Sequence, residues 1–289
     1  MKTVLLTGAR GFIGQYFINY YKNKYNIKTF SFLKDNFENL DMKDIEIILH
    51  LSALVHQMNG AGLNEYEKVN IMQTLNLARK AKENNVKQFI FMSSIAVYGI
   101  EFGVLNENTI CNPLTDYGKT KLTAEIELKK LEDNNFKISI VRPPIVNGYN
   151  APGNMKNLID LVQKMPILPF GNINNKRSMI YVGNLCFFID IIIQKKVDGI
   201  FLVSDEKPLS VTKLIELIGE ALGRKVYLVK VPFFKSFLKL VKPSLYKRLY
   251  ESLEVSNTKT ILRLFHKDEV KLPFSVEEGI ILMVKGLKK

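Results

Sequence analysis

The sequence predicts an α/β fold: a doubly wound parallel sheet with helices on both faces and a smaller C-terminal domain packed beside it. Short apolar runs alternate with amphipathic segments from residue 2 to residue 142. Most of these runs lack the apolar–polar alternation of a half-exposed strand, as expected when a parallel sheet is covered on both faces. A glycine-rich turn directly follows the first run, where a strand would lead into a helix.

The first half of the chain can be divided into elements from these patterns. Apolar residues at three- and four-residue spacing predict helices over 12–24, 64–84 and 117–131. Each helix is long enough to serve as the crossover between two parallel strands. The strands are expected at 2–7, 27–32, 45–51, 88–93 and 137–142.

The second half is less regular after Pro143 and Pro144, with loop signals over 147–153 and 170–175. Later helices are expected at 184–194, 211–222 and 233–252, and strands at 199–203 and 226–231. We therefore predict that residues 1–150, with a return segment at 178–205, form the sheet domain. Residues 151–177 and 206–289 form the second domain.

The composition limits the classes of molecule that the protein is expected to bind. The 289 residues carry a net charge of +13, which suits phosphate-bearing or polyanionic partners. Zinc-finger pairs, RNA-binding aromatic motifs and an arginine-rich arm are missing from the sequence, so nucleic acid is not an expected partner. Cys111 and Cys186 lie far apart without metal-ligand spacing, which argues against a disulfide scaffold and a zinc site. Without a signal peptide or an apolar run of about 20 residues, a cytoplasmic protein is expected.

The glycine turn TGARGFIG places Gly8, Gly11 and Gly14 between the first strand and the first helix. A dinucleotide pyrophosphate can rest there on the free N–H groups that open the helix. Three glycines also occur in ordinary tight β–α turns. The position of this turn, at the start of a parallel α/β pattern, favours the dinucleotide interpretation.

A second group of residues combines Tyr117, Lys121 and Ser94. Tyr117 and Lys121 are four residues apart and share a face of a helix, while Ser94 follows a strand. A tyrosine that acts near neutrality needs its pKa lowered from about 10 to about 7, or about 4 kcal/mol. A lysine about 4 Å away, in an effective dielectric of about 20, supplies that much. Taken alone, this spacing is also typical of a surface pair.

Taken together, six motifs in order resemble the extended short-chain dehydrogenase/reductase family of nucleotide-sugar epimerases, dehydratases and reductases. The resemblance implies a Rossmann-type fold, an NAD(H) or NADP(H) cofactor and a UDP-sugar substrate. It also implies a homodimer through a four-helix interface that includes the Tyr117 helix. The motifs are TGARGFIG at 7–14, HLSA at 50–53, KVN at 68–70, SSIAVYG at 93–99, YGKTK at 117–121 and VRPPIVNG at 141–148.

The resemblance also implies roles for individual residues. Ser94 orients the substrate oxygen, Tyr117 is the general acid or base, and Lys121 lowers the Tyr117 pKa and holds the nicotinamide ribose. Asn154 and Arg177 resemble the family's diphosphate-contacting asparagine and arginine, although Arg177 could also be a solvated loop cation. The expected cofactor contacts are Gly8, Arg10, Gly11, Phe12, Ile13, Gly14, Ser31, Lys34, Leu51, Ser52, Ala53, Asn70, Tyr117, Lys121 and Pro144.

Two departures from the family pattern limit the reactions and the cofactor binding that can be expected. Members that dehydrate the sugar carry Asp-Glu after the catalytic Ser or Thr, whereas this chain has Ile95-Ala96, so a dehydratase is not expected. About a dozen residues separate the second and third predicted strands, so the family's usual third strand is abbreviated and the adenosine side should be open. The second strand ends near Ser31 and Lys34 rather than an acidic residue, which leaves NAD and NADP both open. Asp35 or Asp41 could replace that acid.

The remaining chemistry is hydride transfer at C4 of a UDP-sugar. Residues 142–182 most resemble a bacterial subgroup that reduces UDP-2-acetamido-2,6-dideoxy-4-keto-hexoses for capsule or O-antigen. The open cofactor edge also favours a reductase, because a reductase must exchange its cofactor. The alternatives are a UDP-hexose or UDP-N-acetylhexosamine 4-epimerase and a catalytically silent NADP-binding regulator. The basic amphipathic stretch 233–250 could lie on an anionic membrane or be a helix with a solvated charged face.

Overall fold

The computed structural model describes residues 1–55, 62–267 and 269–286. The strands, in chain order, are β1 (Thr3–Thr7), β2 (Asn26–Phe30), β3 (Ile47–His50), β4 (Gln88–Met92), β5 (Gly103–Leu105), β6 (Lys137–Arg142), β7 (Ile145–Asn147), β8 (Ile167–Leu168), β9 (Met179–Tyr181), β10 (Gly199–Leu202), β11 (Tyr227–Leu228) and β12 (Leu253–Val255).

The α-helices are α1 (Phe12–Tyr21), α2 (Leu63–Tyr66), α3 (Thr74–Glu83), α4 (Asp116–Leu131), α5 (Asn154–Lys164), α6 (Val182–Lys195), α7 (Val211–Ala221), α8 (Phe234–Val241), α9 (Pro243–Tyr250), α10 (Thr258–Phe265) and α11 (Val276–Lys285). A π-helical segment, Glu67–Gln73, joins α2 to α3, and a 3₁₀-helix covers Ile95–Tyr98.

The central sheet has six strands in the order β10-β6-β4-β3-β1-β2, and every pairing is parallel. Its two faces bury different helices. Phe17 of α1 and Phe188 of α6 pack on one face, and Leu77 of α3 and Leu128 of α4 pack on the other. The predicted doubly wound parallel sheet is therefore confirmed.

The connection from β2 to β3 is short and contains no further strand, as the sequence predicts. Residues 31–46 form turns and bends without a strand or a helix, so β2 is the last strand on that side of the sheet. The segment is held by local apolar contacts, including the ring of Phe32, 5.0 Å from that of Phe30. The adenosine side of any dinucleotide bound there would have only this loop beside it.

The region after residue 150 differs most from the prediction. Helix α5 lies between the two expected loops, where no element was predicted, and with α7 and α11 it surrounds an apolar cluster that includes Val162, Ile215 and Ile280. The single helix expected over 233–252 is wrong. The chain instead forms α8 and α9, because Pro243 lacks an N–H and favours extended backbone at Lys242, where φ is −138°. The strand expected at 226–231 is only Tyr227–Leu228.

Among the described helices, none is both long and apolar enough to cross a membrane.

Candidate active site

In the β1–α1 turn, the backbone at the glycines lies close to the segment that follows β3 and to the turn's own carbonyl groups. Gly8 has φ of +75°, and a Cβ placed there would lie 2.9 Å from the Leu51 carbonyl carbon and the Ser52 nitrogen. A Cβ on Gly14 would lie 2.3 Å from the Gly8 oxygen. Both positions therefore require glycine, and the close approach leaves the N-terminus of α1 facing the carboxyl edge of the sheet.

A cleft of about 440 Å³ opens at that edge. Seven of the predicted cofactor residues line it: Gly8, Arg10, Gly11, Ser31, Lys34, Ser52 and Ala53. Of the two acids considered as replacements, Asp35 lines the cleft and its carboxylate accepts a hydrogen bond of 2.8 Å from the Ser31 N–H. Asp41 instead accepts a hydrogen bond from the Lys43 backbone. A glycine cradle at a helix N-terminus, with cations and a carboxylate nearby, fits a dinucleotide.

The structure places the other predicted cofactor residues outside this cleft. Phe12 and Pro144 line two neighbouring cavities, and Ile13 and Leu51 pack against the core. Asn70 is fully buried in the π-helical segment, where its side-chain amide bonds both backbone groups of Leu54 and Thr120 Oγ1. Asn70 therefore positions the chain that follows β3.

The predicted catalytic residues lie together at the carboxyl end of β4. Ser94 caps the 3₁₀-helix, and its Oγ accepts a hydrogen bond of 3.2 Å from the Ala96 N–H. Tyr117 lies in the first turn of α4, and its side chain shares a hydrogen bond with that of Ser94. Lys121 lies one turn later and is 1% exposed. Its Nζ donates to the Met92 oxygen at 2.8 Å and lies 4.4 Å from the Phe91 ring centroid.

The pKa values of this group differ from the sequence prediction. The pKa of Tyr117 is raised to about 12, because burial and the nearby Tyr66 raise it by more than the hydrogen bond with Ser94 lowers it. Burial lowers the pKa of Lys121 to about 7, while Glu125 acts in the opposite direction. Lys121 is not among the groups that shift the Tyr117 pKa in this arrangement, and its role in lowering that pKa stays a prediction. The Lys121 ammonium is itself desolvated and is bonded to Met92 rather than aimed at the phenol.

A buried ionic network supports this group, and sequence reasoning missed it. Glu125 and Arg142 are 2% and 3% exposed and form an ion pair in which Arg142 Nε lies 3.0 Å from Glu125 Oε1. Ser93 Oγ donates to the same carboxylate, and Arg142 Nη1 donates to the Tyr98 hydroxyl at 2.8 Å. The network joins β4, the 3₁₀-helix, α4 and β6. The sequence did contain one signal for this network. Arg142 ends a buried strand, and a charged residue in such a position requires a buried partner.

Ser94 lines a second cavity, of about 350 Å³. Arg177, Lys247 and Arg248 supply its cations, and Pro144 also lines it. Burial and the neighbouring Arg248 lower the pKa of Arg177. In the described part of the chain, neither Arg177 nor Arg248 forms an ion pair, whereas Lys247 pairs with Glu101. Two guanidinium groups that repel each other beside one cavity favour a bound polyphosphate.

Arg248 is a second residue that sequence reasoning missed as a site residue, because the sequence presents it only as part of a basic stretch. Its proximity to Arg177 depends on the break between α8 and α9, which brings α9 to the cavity. The side chain of Asn154 lies outside the described part of the structure, so its substrate contact remains a prediction.

Comparisons with known proteins agree with this geometry. The NAD dependent epimerase/dehydratase family matches residues 4–203. The chain is 33% identical to a UDP-glucose 4-epimerase of Vibrio cholerae over 96% of this chain and 93% of that relative. It is 27% identical to an N-acetyl-alpha-D-glucosaminyl-diphospho-ditrans,octacis-undecaprenol 4-epimerase of Escherichia coli O157:H7, over 80% of this chain and 75% of the relative.

Solved structures show the same fold. A UDP-glucuronic acid 4-epimerase from Bacillus cereus in complex with NAD has a TM-score of 0.76 at 19% identity, with coverage of 97% of this chain and 96% of that one. A UDP-N-acetylglucosamine 4-epimerase from Bacillus cereus also has a TM-score of 0.76 at 19% identity, with coverage of 99% and 100%. The predicted family is confirmed, and this chain belongs to the NAD dependent epimerase/dehydratase family.

Proposed function

We propose that the protein is an NAD-dependent 4-epimerase of a UDP-sugar. The observation that carries this proposal is that Ser94, whose side chain is hydrogen-bonded to that of Tyr117, lines a cavity with Arg177 and Arg248, while the glycine turn opens onto a separate cleft. One cleft fits a dinucleotide, and the other presents cations for a diphosphate. Similarity to a UDP-glucose 4-epimerase along nearly the whole chain supports epimerisation as the outcome.

The dinucleotide cleft fits NAD. Gly8 and Gly11 would let the pyrophosphate approach the N-terminus of α1, and the Asp35 carboxylate is placed to accept hydrogen bonds from ribose hydroxyls. A carboxylate at that position disfavours the 2′-phosphate of NADP. When bound, NAD⁺ supplies the hydride acceptor for C4 and a positive ring charge that lowers the pKa of a neighbouring tyrosine.

The chain's own residues move the proton. Tyr117 takes the proton of the C4 hydroxyl as hydride leaves C4, and it returns that proton when hydride re-enters from the opposite face of the sugar. Ser94 holds the same oxygen and, through its hydrogen bond, favours the ionised form of Tyr117. Lys121 stabilises the end of β4 beside the site, because its Nζ donates a hydrogen bond to the Met92 oxygen.

The cationic cavity would hold the substrate. Arg177 and Arg248 would bind the two phosphates, and the sugar would then lie beside Ser94, which lines the same cavity. Substitution of Arg248 by Leu should raise KM for the UDP-sugar at least tenfold and change kcat little, because the guanidinium binds a part of the substrate that does not react.

Reduction of a UDP-4-keto sugar, the function that the sequence analysis favoured, is the second candidate function. The observation in its favour is the segment 31–46, which leaves the adenosine edge of the cleft without a third strand and would ease cofactor exchange. The named 4-epimerases among the relatives favour the epimerase instead.

One experiment separates the two candidates. We expect purified protein to interconvert UDP-glucose and UDP-galactose, or UDP-N-acetylglucosamine and UDP-N-acetylgalactosamine, without net change in reduced nicotinamide absorbance. A reductase would instead consume NADH or NADPH in equal amount to an added UDP-2-acetamido-2,6-dideoxy-4-keto-hexose. Failure of both reactions would overturn the proposal.

The predicted homodimer is also part of this proposal. Ile126 on α4 and Met72 on the adjoining π-helical segment are 51% and 58% exposed, as expected for side chains that a partner subunit covers. Light scattering should give twice the chain mass, and Ile126→Glu should shift the protein to monomer.

A further inference from the structure

The helix pair α8–α9 presents an apolar surface that the proposed function does not use. Phe233, Phe237 and Leu240 are 86%, 58% and 84% exposed, and their spacing of four and three residues places them on one stripe. The side of α8 that faces the protein is different. There, Leu238 is buried and the Phe234 ring lies 6.3 Å from that of Phe170.

The segment that leads into α8 also exposes apolar side chains. Tyr227, Val229 and Val231 are exposed and alternate along an extended run, so they share one side of it. Ile167 pairs with Tyr227 in the β8–β11 ladder and is also exposed. We refer to these seven side chains as the outer apolar face: Ile167, Tyr227, Val229, Val231, Phe233, Phe237 and Leu240.

The chain segment that carries most of the outer apolar face contains charges of one sign. Residues 221–250 contain eight Lys and Arg and neither Asp nor Glu, in a chain of net charge +13. On α8 itself, Lys235 and Lys239 lie on the side turned towards α9, 5.7 Å and 5.9 Å from the ring centroids of Tyr250 and Tyr246. The helix therefore carries aromatic and aliphatic groups on one side and cations on the other, as interfacial helices do.

We propose that the outer apolar face docks the protein on an anionic phospholipid bilayer, with α8 lying in the plane of the interface. The excess of cations complements phosphatidylglycerol or other anionic headgroups. A second copy of the chain is a poorer occupant, because it would bring eight further cations of the same segment against the first eight. Docking of this kind does not depend on the proposed epimerase activity.

The docked orientation has a consequence for the active site. Lys247 and Arg248 of α9 line the Ser94 cavity, so the helix pair that meets the bilayer also forms a wall of the substrate site. Docking would therefore bring the Ser94 cavity close to the bilayer surface.

Sedimentation with lipid vesicles tests the proposal. We expect the full chain to bind vesicles of phosphatidylcholine and phosphatidylglycerol in equal parts, and to bind at least tenfold more weakly to phosphatidylcholine alone and at high salt. The double substitution Phe237→Ser with Leu240→Ser should weaken binding roughly hundredfold, because two apolar side chains no longer leave water. The matched control is Ile110→Ser, which removes a side chain that is 84% exposed outside this face and should not change binding.

Three outcomes would overturn the proposal. One is absence of wild-type binding to anionic vesicles, and another is equal binding of the double variant and the wild type. The third is a change from dimer to monomer in the double variant, which would assign the face to a second copy. If the double variant fails to fold, Lys235→Glu with Lys239→Glu supplies the same comparison through charge, and unchanged vesicle binding by that variant would count against docking.

Discussion

Helix α4 and helix α8 depart from the usual distribution of side chains in opposite directions. Helix α4 buries a lysine and a glutamate, Lys121 and Glu125, at 1% and 2% exposure. Helix α8 and its N-cap expose Phe233 and Leu240 at 86% and 84%. Each arrangement costs free energy relative to a conventional helix, so each indicates a role beyond folding.

The two helices differ in whether their unusual side chains need partners inside the protein. The buried charges of α4 are stable only because partners inside the protein satisfy them, namely Arg142 and Ser93 for Glu125 and the Met92 oxygen for Lys121. The exposed apolar groups of α8 have no such dependence. Substitutions of the buried charges of α4 should therefore change stability or catalysis, whereas substitutions on the outer side of α8 should change association alone.

The largest effect is expected from Tyr117→Phe. Loss of the hydroxyl that transfers the proton should reduce kcat about 1,000-fold or more, while NAD affinity and Tm stay near those of the wild type. Steady-state kinetics, NAD titration and thermal melting measure these quantities. Turnover within tenfold of the wild type would remove Tyr117 from the reaction.

Arg142→Leu tests the buried network directly. Removal of one partner leaves the Glu125 carboxylate buried without its cation, which should cost about 3–5 kcal/mol. In a chain of this size that corresponds to a decrease in Tm of about 6–20 °C.

The matched control is on the same helix. Glu127→Gln breaks the pair with Lys130, whose side chains are 36% and 64% exposed, and should change stability by less than about 1 kcal/mol. Equal Tm values for the two variants would show that α4 does not depend on its buried network.

Lys121→Met should separate stability from catalysis. The Lys121 pKa is about 7 in the folded chain, against 10.5 for a lysine free in water. The unfolded chain therefore binds more protons between those values, and wild-type stability rises with pH across that window. The substitution removes this cost of burial. We expect the variant to lose turnover and to gain Tm by about a few °C more at pH 6 than at pH 10. A lower Tm at pH 6 would show that the buried ammonium is stabilising.

Ser94→Ala should give the smallest change. The hydrogen bond with Ser94 lowers the pKa of Tyr117, so its loss should move the acidic limb of the kcat profile to higher pH by about one unit or less. Ser94→Thr keeps the hydroxyl and should leave that limb in place. An unchanged profile in the alanine variant would place Ser94 outside the proton pathway.

Much of the first half follows from the sequence because its signals are local. Strand β6 has the predicted bounds, and the glycine turn is fixed by three residues that lie close in the chain. Ser94 and Tyr117 could be predicted to meet because their motifs fall at the end of a buried strand and the start of a helix. The short edge at 31–46 follows from the number of residues alone.

What the sequence did not reveal depends on long-range packing. The Tyr117 pKa is raised chiefly by burial, and the Lys121 ammonium bonds the Met92 oxygen. Neither follows from a spacing of four residues. The pair of Glu125 and Arg142 joins α4 to β6, and the approach of Arg248 to Arg177 needs α9 to turn at Pro243. Helix α5 begins directly after a run of loop-forming residues that predicts no helix.

The most direct test of the central claim follows the hydrogen at C4. A UDP-sugar carrying deuterium at C4 should give the C4 epimer with the deuterium retained, because hydride leaves and returns within one bound cofactor while Tyr117 moves only the hydroxyl proton. Mass spectrometry and NMR of the product measure the label. Loss of the deuterium to solvent, or its appearance in released reduced nicotinamide, would contradict the account.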